Sequence, residues 1–198
     1  GRPVLIMTNI LTPLLSAAMA ALSLTPVPQE AEVDSDDTFR VAPVMPVVMA
    51  RHLDEDGLPL QDLFDAVGYD LPTSAADSFD AGEPGIYIGL WDRHPSFDKR
   101  KLRRRAEDAE ELSPGGYVLS IERKTVVLAG VDEAGVFHGL QTLTQLARNN
   151  GIAWPLLELR DWPDVAWRGA VVEGLLTTDQ IRAYAQLKCN TLLFASDD

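Results

Sequence analysis

The hydrophobic pattern of this chain changes at Trp167, and no other feature constrains its folding as much. Ala170-Val171-Val172 is a short, continuously apolar run. Thr177-Thr178-Asp179-Gln180 then carries a helix-cap signature, Ile181, Tyr184 and Leu187 form the inner face of the helix that follows, and Thr191-Leu192-Leu193-Phe194-Ala195 is a second apolar run. Strands apolar on both faces are those of a parallel sheet, and two of them joined by a helix make one βαβ unit. A single such unit is not a domain. The spacing therefore predicts that one folding unit ends near Asp161 and that another begins after it.

The preceding residues predict a different layer. Tyr117–Ile121 and Val126–Ala129, joined by Glu122-Arg123-Lys124-Thr125, read as a β-hairpin. Asp132 is placed to cap the next helix, because its carboxylate can accept from free amides of the first turn. That helix is expected to bury Val136, Leu140, Leu143 and Leu146, with Gly139 allowing close approach to the sheet. Leu60, Leu63, Phe64 and Val67 have the i, i+3, i+4, i+7 spacing of a helix closed by Gly68. Leu24–Val33 reads as an extended edge segment because of its prolines, Asp34–Asp37 as a turn, and Thr38–Ala42 as a strand. Val44–Ala50 fits a strand or a helix, Ile86–Leu90 a strand, residues 70–84 a surface loop, and Lys99–Leu112 a polar or mobile helix. Elements mixed in this way predict an α+β domain, a sheet with packed helices.

Charge excludes one class of partner. Among 198 residues, 17 basic and 30 acidic side chains give a net charge of −13, which repels nucleic acid. The basic cluster from Lys99 to Arg105 is followed by Glu107-Asp108 and Glu110-Glu111, so it reads as a solvated helix face with charge pairs three and four apart. Cys189 is the single cysteine, which rules out a disulfide within the chain, and it sits as a small core residue would. His52, His94 and His138 lack metal-ligand spacing, so no metal is expected. Residues 10–24 are nearly all apolar or small, yet too short and too interrupted by Pro13 to span a membrane. If residues 7–23 are a leader remnant, the protein is secreted or periplasmic; if they form an ordinary N-terminal helix, it is cytoplasmic.

In parallel α/β folds, ligands bind at the carboxyl ends of strands. Here those ends carry Glu173-Gly174 and Asp197-Asp198, the candidate substrate-binding residues. Adjacent carboxylates can divide labour, one ionised while the other keeps its proton. A strand-end acid also serves simply to cap the next helix. Residues 1–166 contain no comparable site, since Gly115-Gly116 and Gly130 lack the strand–GxGxxG–helix context of phosphate binding. Trp154, Trp162 and Trp167 have rings able to stack on sugars, but their place at a junction favours packing.

Three segments carry a resemblance to a known family. They are Leu24-Thr25-Pro26-Val27-Pro28-Gln29; Gly116–Ile121 through Gly135-Val136-Phe137-His138-Gly139-Leu140-Gln141-Thr142-Leu143; and Asp161-Trp162-Pro163 to Trp167-Arg168-Gly169. Together they resemble the accessory N-terminal domain of β-N-acetylhexosaminidases, glycoside hydrolases of families 20 and 84. The resemblance implies an α+β accessory domain followed by the first βαβ unit of a (β/α)8 barrel. The implied divisions are residues 1–23, an apolar segment; 24–163, the accessory domain; and 164–198, a truncated barrel start.

In these families the sugar's acetamido oxygen attacks the anomeric carbon. One carboxylate orients that group, a neighbouring carboxylic acid protonates the leaving oxygen, and no cofactor is needed. Val171-Val172-Glu173-Gly174 is similar to the end of the first barrel strand in family 84, whereas Leu175-Leu176 and Ser196 depart from its pattern. The families' catalytic pair lies at the fourth barrel strand, beyond Asp198. The resemblance therefore implies no catalytic residue in this chain, no activity of the chain alone, and a polypeptide that is a fragment, an isolated domain or a truncated gene product. The partner expected in the full-length protein is an N-acetylhexosaminide. The alternative is a non-catalytic carbohydrate-binding or interaction module with a vestigial barrel start. Either way, Val171, Val172, Leu192 and Leu193 are expected to be partly exposed and to favour self-association.

Overall fold

Residues 22–77, 83–91 and 112–195 are described by the structure, a computed structural model. The strands are β1 (Glu30–Arg40), β2 (Val47–Ala50), β3 (Thr73–Ala76), β4 (Gly85–Leu90), β5 (Tyr117–Ile121), β6 (Thr125–Gly130), β7 (Ala153–Asp161), β8 (Gly169–Glu173) and β9 (Thr191–Ala195). The helices are α1 (Leu60–Val67), α2 (Glu133–Asn150) and α3 (Thr178–Gln186). The first seven strands form one mixed sheet in the order β1-β7-β5-β6-β4-β2-β3. Pairing is antiparallel from β1 to β6 and parallel from β6 to β3.

Sequence explains the centre of this sheet directly. β4 is buried at every position and β5 likewise, as strands covered on both faces must be. The expected hairpin is present: β5 and β6 pair from Tyr117 opposite Gly130 to Ile121 opposite Val126. Asp132 caps α2, its Oδ1 accepting from Gly135 N–H at 2.8 Å, and it also accepts from Gly115 N–H at 3.0 Å through Oδ2. One carboxylate thereby ties the helix start to the turn before β5. α2 then lies hard against the hairpin. A Cβ at Gly139 would collide with the Leu128 side chain, and one at Gly135 with the Gly116 carbonyl. Val136, Leu140, Leu143 and Leu146 are buried as their spacing predicts. α1 ends at Gly68 with φ 77°, a left-handed cap whose N–H donates to Phe64 O at 2.8 Å.

Several readings change. Asp34–Asp37 is not a turn between two segments but a bulge inside β1, with the register shifting between Asp34 and Thr38. The 70–84 loop contains the short edge strand β3, and Val44–Ala50 resolves as the strand β2. Ala153–Asp161, where the sequence predicts no element, is the strand β7 between β1 and β5. Trp154 lies in the core, its ring 5.6 Å from that of Phe39, whereas Trp167 is 79% exposed and does not pack as expected. The Lys99–Arg105 cluster, almost all of the apolar N-terminal segment, Asp197 and Asp198 lie outside the described residues.

The βαβ unit is present as a separate two-stranded parallel sheet, with Gly169 opposite Thr191 and Glu173 opposite Ala195. Thr177 and Gln180 form the capping box that opens α3. Val172 is buried, but Val171, Leu193 and Phe194 are 69%, 59% and 63% exposed. No residue of α3 is buried, and Ile181 and Leu187 are exposed, so the inner face read from the sequence is not covered by the described residues. Cys189 is half-buried rather than fully in the core. Among the described residues no helix is long and apolar enough to cross a membrane.

Candidate functional site

Among the described residues two places gather chemistry-bearing side chains, and the sequence pointed to only one. The first is the carboxyl end of the small sheet. Parallel pairing brings the end of β8 beside the end of β9, so Glu173 lies across from Ala195, and both are exposed to solvent. Gly174 follows with φ 81° and, among the described residues, nothing within 4 Å of where a Cβ would stand.

The second place is the junction between the two sheets, just past the C-terminal end of α3. There Asp161 ends β7, Tyr117 begins β5, Thr142 and His138 come from α2, and Lys188 follows α3. Lys188 Nζ donates to Asp161 Oδ2 at 2.6 Å and to Tyr117 Oη at 3.0 Å. Tyr117 Oη in turn lies 3.2 Å from Asp161 Oδ2 and 2.6 Å from Thr142 Oγ1. Asp161 Oδ1 accepts from Gln29 N–H at 3.3 Å. The ammonium also stands 5.1 Å from the centroid of the Tyr117 ring, within cation–π range. Asp161 and Lys188 are 7% and 6% exposed, so the pair is buried.

Burial sets the electrostatics. It lowers the Lys188 ammonium below the usual lysine value, opposed by the Asp161 carboxylate. It raises the Tyr117 phenol well above its usual value, and Asp161 adds to that rise. His138 is lowered as well, chiefly by burial, against the hydrogen bond between Nδ1 and Gly115 O at 2.9 Å. Since a carbonyl only accepts, Nδ1 carries the proton in this contact. His138, Asp161 and Lys188 border a cleft of about 150 Å³ that Arg168 and Trp162 also line, with the Tyr117 ring buried behind it. With Lys188, Tyr117 and Gln29 all donating to it, Asp161 is engaged as an acceptor, and the geometry suits holding two elements together. Among the described residues no cluster of His, Cys, Asp and Glu is placed to hold a metal ion.

Comparison with known proteins fits this architecture. Residues 21–162 match the model of glycosyl hydrolase family 20, domain 2. The chain belongs to that family. Three solved structures share the family 20 domain 2 fold. A Streptomyces plicatus β-hexosaminidase mutant in complex with GlcNAc is 24% identical with a TM-score of 0.62, over 86% of this chain and 34% of that one. An inactive mutant of the Vibrio harveyi exo-β-N-acetylglucosaminidase is 19% identical with a TM-score of 0.64, over 88% and 25%. CpGH84D is 17% identical with a TM-score of 0.66, over 86% and 30%. The chain thus spans about a third or less of each solved chain.

Sequence reasoning placed Asp161, Tyr117 and His138 in motifs of the family 20 domain but gave them no joint role. The overlooked signal is Lys188, a cation set between Leu187 and Cys189 in an otherwise apolar return to β9.

Proposed function

We propose that this chain is the accessory part of a hexosaminidase-type glycoside hydrolase acting on terminal N-acetylhexosaminides. On this reading residues 24–163 are the supporting domain, and residues 164–198 open a (β/α)8 barrel. The observation that carries it is the family 20 domain 2 match over residues 21–162, followed directly by a parallel βαβ unit. Two further facts support it. The solved hexosaminidases align with 86–88% of this chain, more than residues 21–162 alone make up. The small sheet also leaves Val171, Leu193 and Phe194 exposed, which suits the addition of further barrel strands and helices.

In the whole enzyme Glu173, Gly174, Asp197 and Asp198 would face the sugar from the first two strand ends. The carboxylates that orient the acetamido group and protonate the leaving oxygen would come from a later strand. The supporting domain would hold the barrel without touching the reacting atoms. The test compares hydrolysis of an aryl N-acetylglucosaminide by this chain and by the polypeptide read from the gene past Asp198. Turnover only in a longer product with six more βα repeats supports the reading. Turnover by the chain alone, or a stop codon after Asp198, overturns it.

A further inference from the structure

Lys188 occupies a backbone position that disfavours it. Its φ is 58°, in the left-handed region, where a side chain crowds the following carbonyl and glycine does not. The local hydrogen bonds explain why the chain turns there. Lys188 N–H donates to Ala185 O at 2.9 Å, and Cys189 N–H donates to Tyr184 O at 3.0 Å. That pair of bonds is a Schellman helix end, a motif that places glycine at this residue in most proteins. A lysine here serves something other than the turn.

Its side chain runs from the end of α3 into the seven-stranded sheet and ends on Asp161 and Tyr117. Its own carbonyl accepts from Arg168 Nε–H at 2.9 Å, just before β8 begins. Asn190, two residues on, accepts from Arg168 N–H at 2.9 Å and donates from Nδ2 to Ala166 O at 2.7 Å. One residue therefore joins the return from α3, the approach to β8, and the ends of β5 and β7. Two helix-to-helix links among the described residues are more exposed: Gln145 Nε2 to Gln186 O at 3.2 Å, and Arg182 to Asp62 at 3.9 Å.

We propose that Lys188, Asp161 and Tyr117 form an orientation lock that sets how the βαβ unit sits on the large sheet. The lock selects one arrangement and adds little net stability. Burying two charges costs about as much as their attraction returns, while removing one partner strands the other. The lowered lysine value agrees, because desolvation outweighs the pull of Asp161. The inference concerns this chain alone and does not depend on the glycosidase reading.

Hydrogen exchange on the full chain, read peptide by peptide, tests it with Lys188→Gly, Tyr117→Phe, Asp161→Asn and Lys188→Met. Lys188→Gly is the sharpest variant, since it keeps the Schellman turn and removes the left-handed cost. The lock predicts that exchange in residues 169–173 and 191–195 speeds up roughly tenfold in this variant, while β4 and β6 keep their protection. Unchanged or slower exchange in β8 and β9 overturns it. Equal acceleration across β4, β6, β8 and β9 also overturns it, because a general stability contact would act everywhere. Lys188→Met and Asp161→Asn combined must be strongly non-additive, the double variant approaching the worse single one; additive effects would show two unrelated residues. Tyr117→Phe, the mildest change, keeps the ion pair and should loosen the same residues by a smaller factor.

Discussion

The side chain of Gln145 hydrogen-bonds the backbone of Thr25 in both directions. Its Nε2–H donates to Thr25 O at 2.7 Å, and its Oε1 accepts from Thr25 N–H at 2.8 Å. An amide side chain on α2 thus acts like a strand neighbour for the segment that leads into β1. Gln145→Glu keeps the shape but loses the donor, and should destabilise the chain by about 1 kcal/mol. Urea unfolding of both proteins at neutral pH checks this. An unchanged midpoint would mean that the bidentate contact is energetically idle.

Gly135 is the tightest point of the α2–hairpin packing. A methyl group there meets the Gly116 carbonyl, which is fixed by the turn that Asp132 holds. Gly135→Ala would raise helix propensity on a free helix, yet here it should cost about 3 kcal/mol through overpacking. Thermal unfolding decides between the two effects, and a raised melting temperature would contradict the packing account.

His138 predicts an acid-sensitive component of stability. Its folded-state value lies below the usual one, so the unfolded chain takes up the proton first as pH falls. The contribution is complete above about pH 6.5 and is lost as pH drops through the lower, folded-state value. His138→Gln keeps a donor for Gly115 O and removes the titration. Its stability should therefore fall less than that of the parent between about pH 7 and pH 5. Parallel curves from denaturant midpoints at several pH values would refute the assignment.

Leu193 and Val171 are paired across β8 and β9, share one face of the small sheet and are both exposed. The isolated chain should self-associate through this face, and Leu193→Lys with Val171→Lys should shift it towards monomer. Light scattering over a concentration series reads this out. A parent protein that stays monomeric at high concentration would sink the prediction.

Much of this fold could be read from the chain, and the misses share a cause. α2 was legible because its cap, its apolar spacing and Gly139 all point the same way. β7 was not, since Pro155 argues against an interior strand. Pro155 pairs with Thr38 at the bulge in β1, and the pairing with β5 begins only at Leu157. The missing N–H therefore falls where the ladder is already broken. β3, with the sequence Thr73-Ser74-Ala75-Ala76, has almost no buried side chain and exists through its backbone pairing to β2. The strand-end position of Glu173 followed from the βαβ pattern. The Asp161–Lys188 contact joins residues 27 apart in sequence, and no local periodicity encodes such a meeting.

The outer margins of the large sheet bear on how copies of this protein meet. One margin, β1, is lined by Glu30, Glu32, Asp34, Asp36 and Asp37, and the other is the four-residue β3. Two molecules approaching edge to edge along β1 would bring like charges together, and β3 is too brief to template a partner strand. Runaway stacking of the main sheet into fibrils is thereby discouraged.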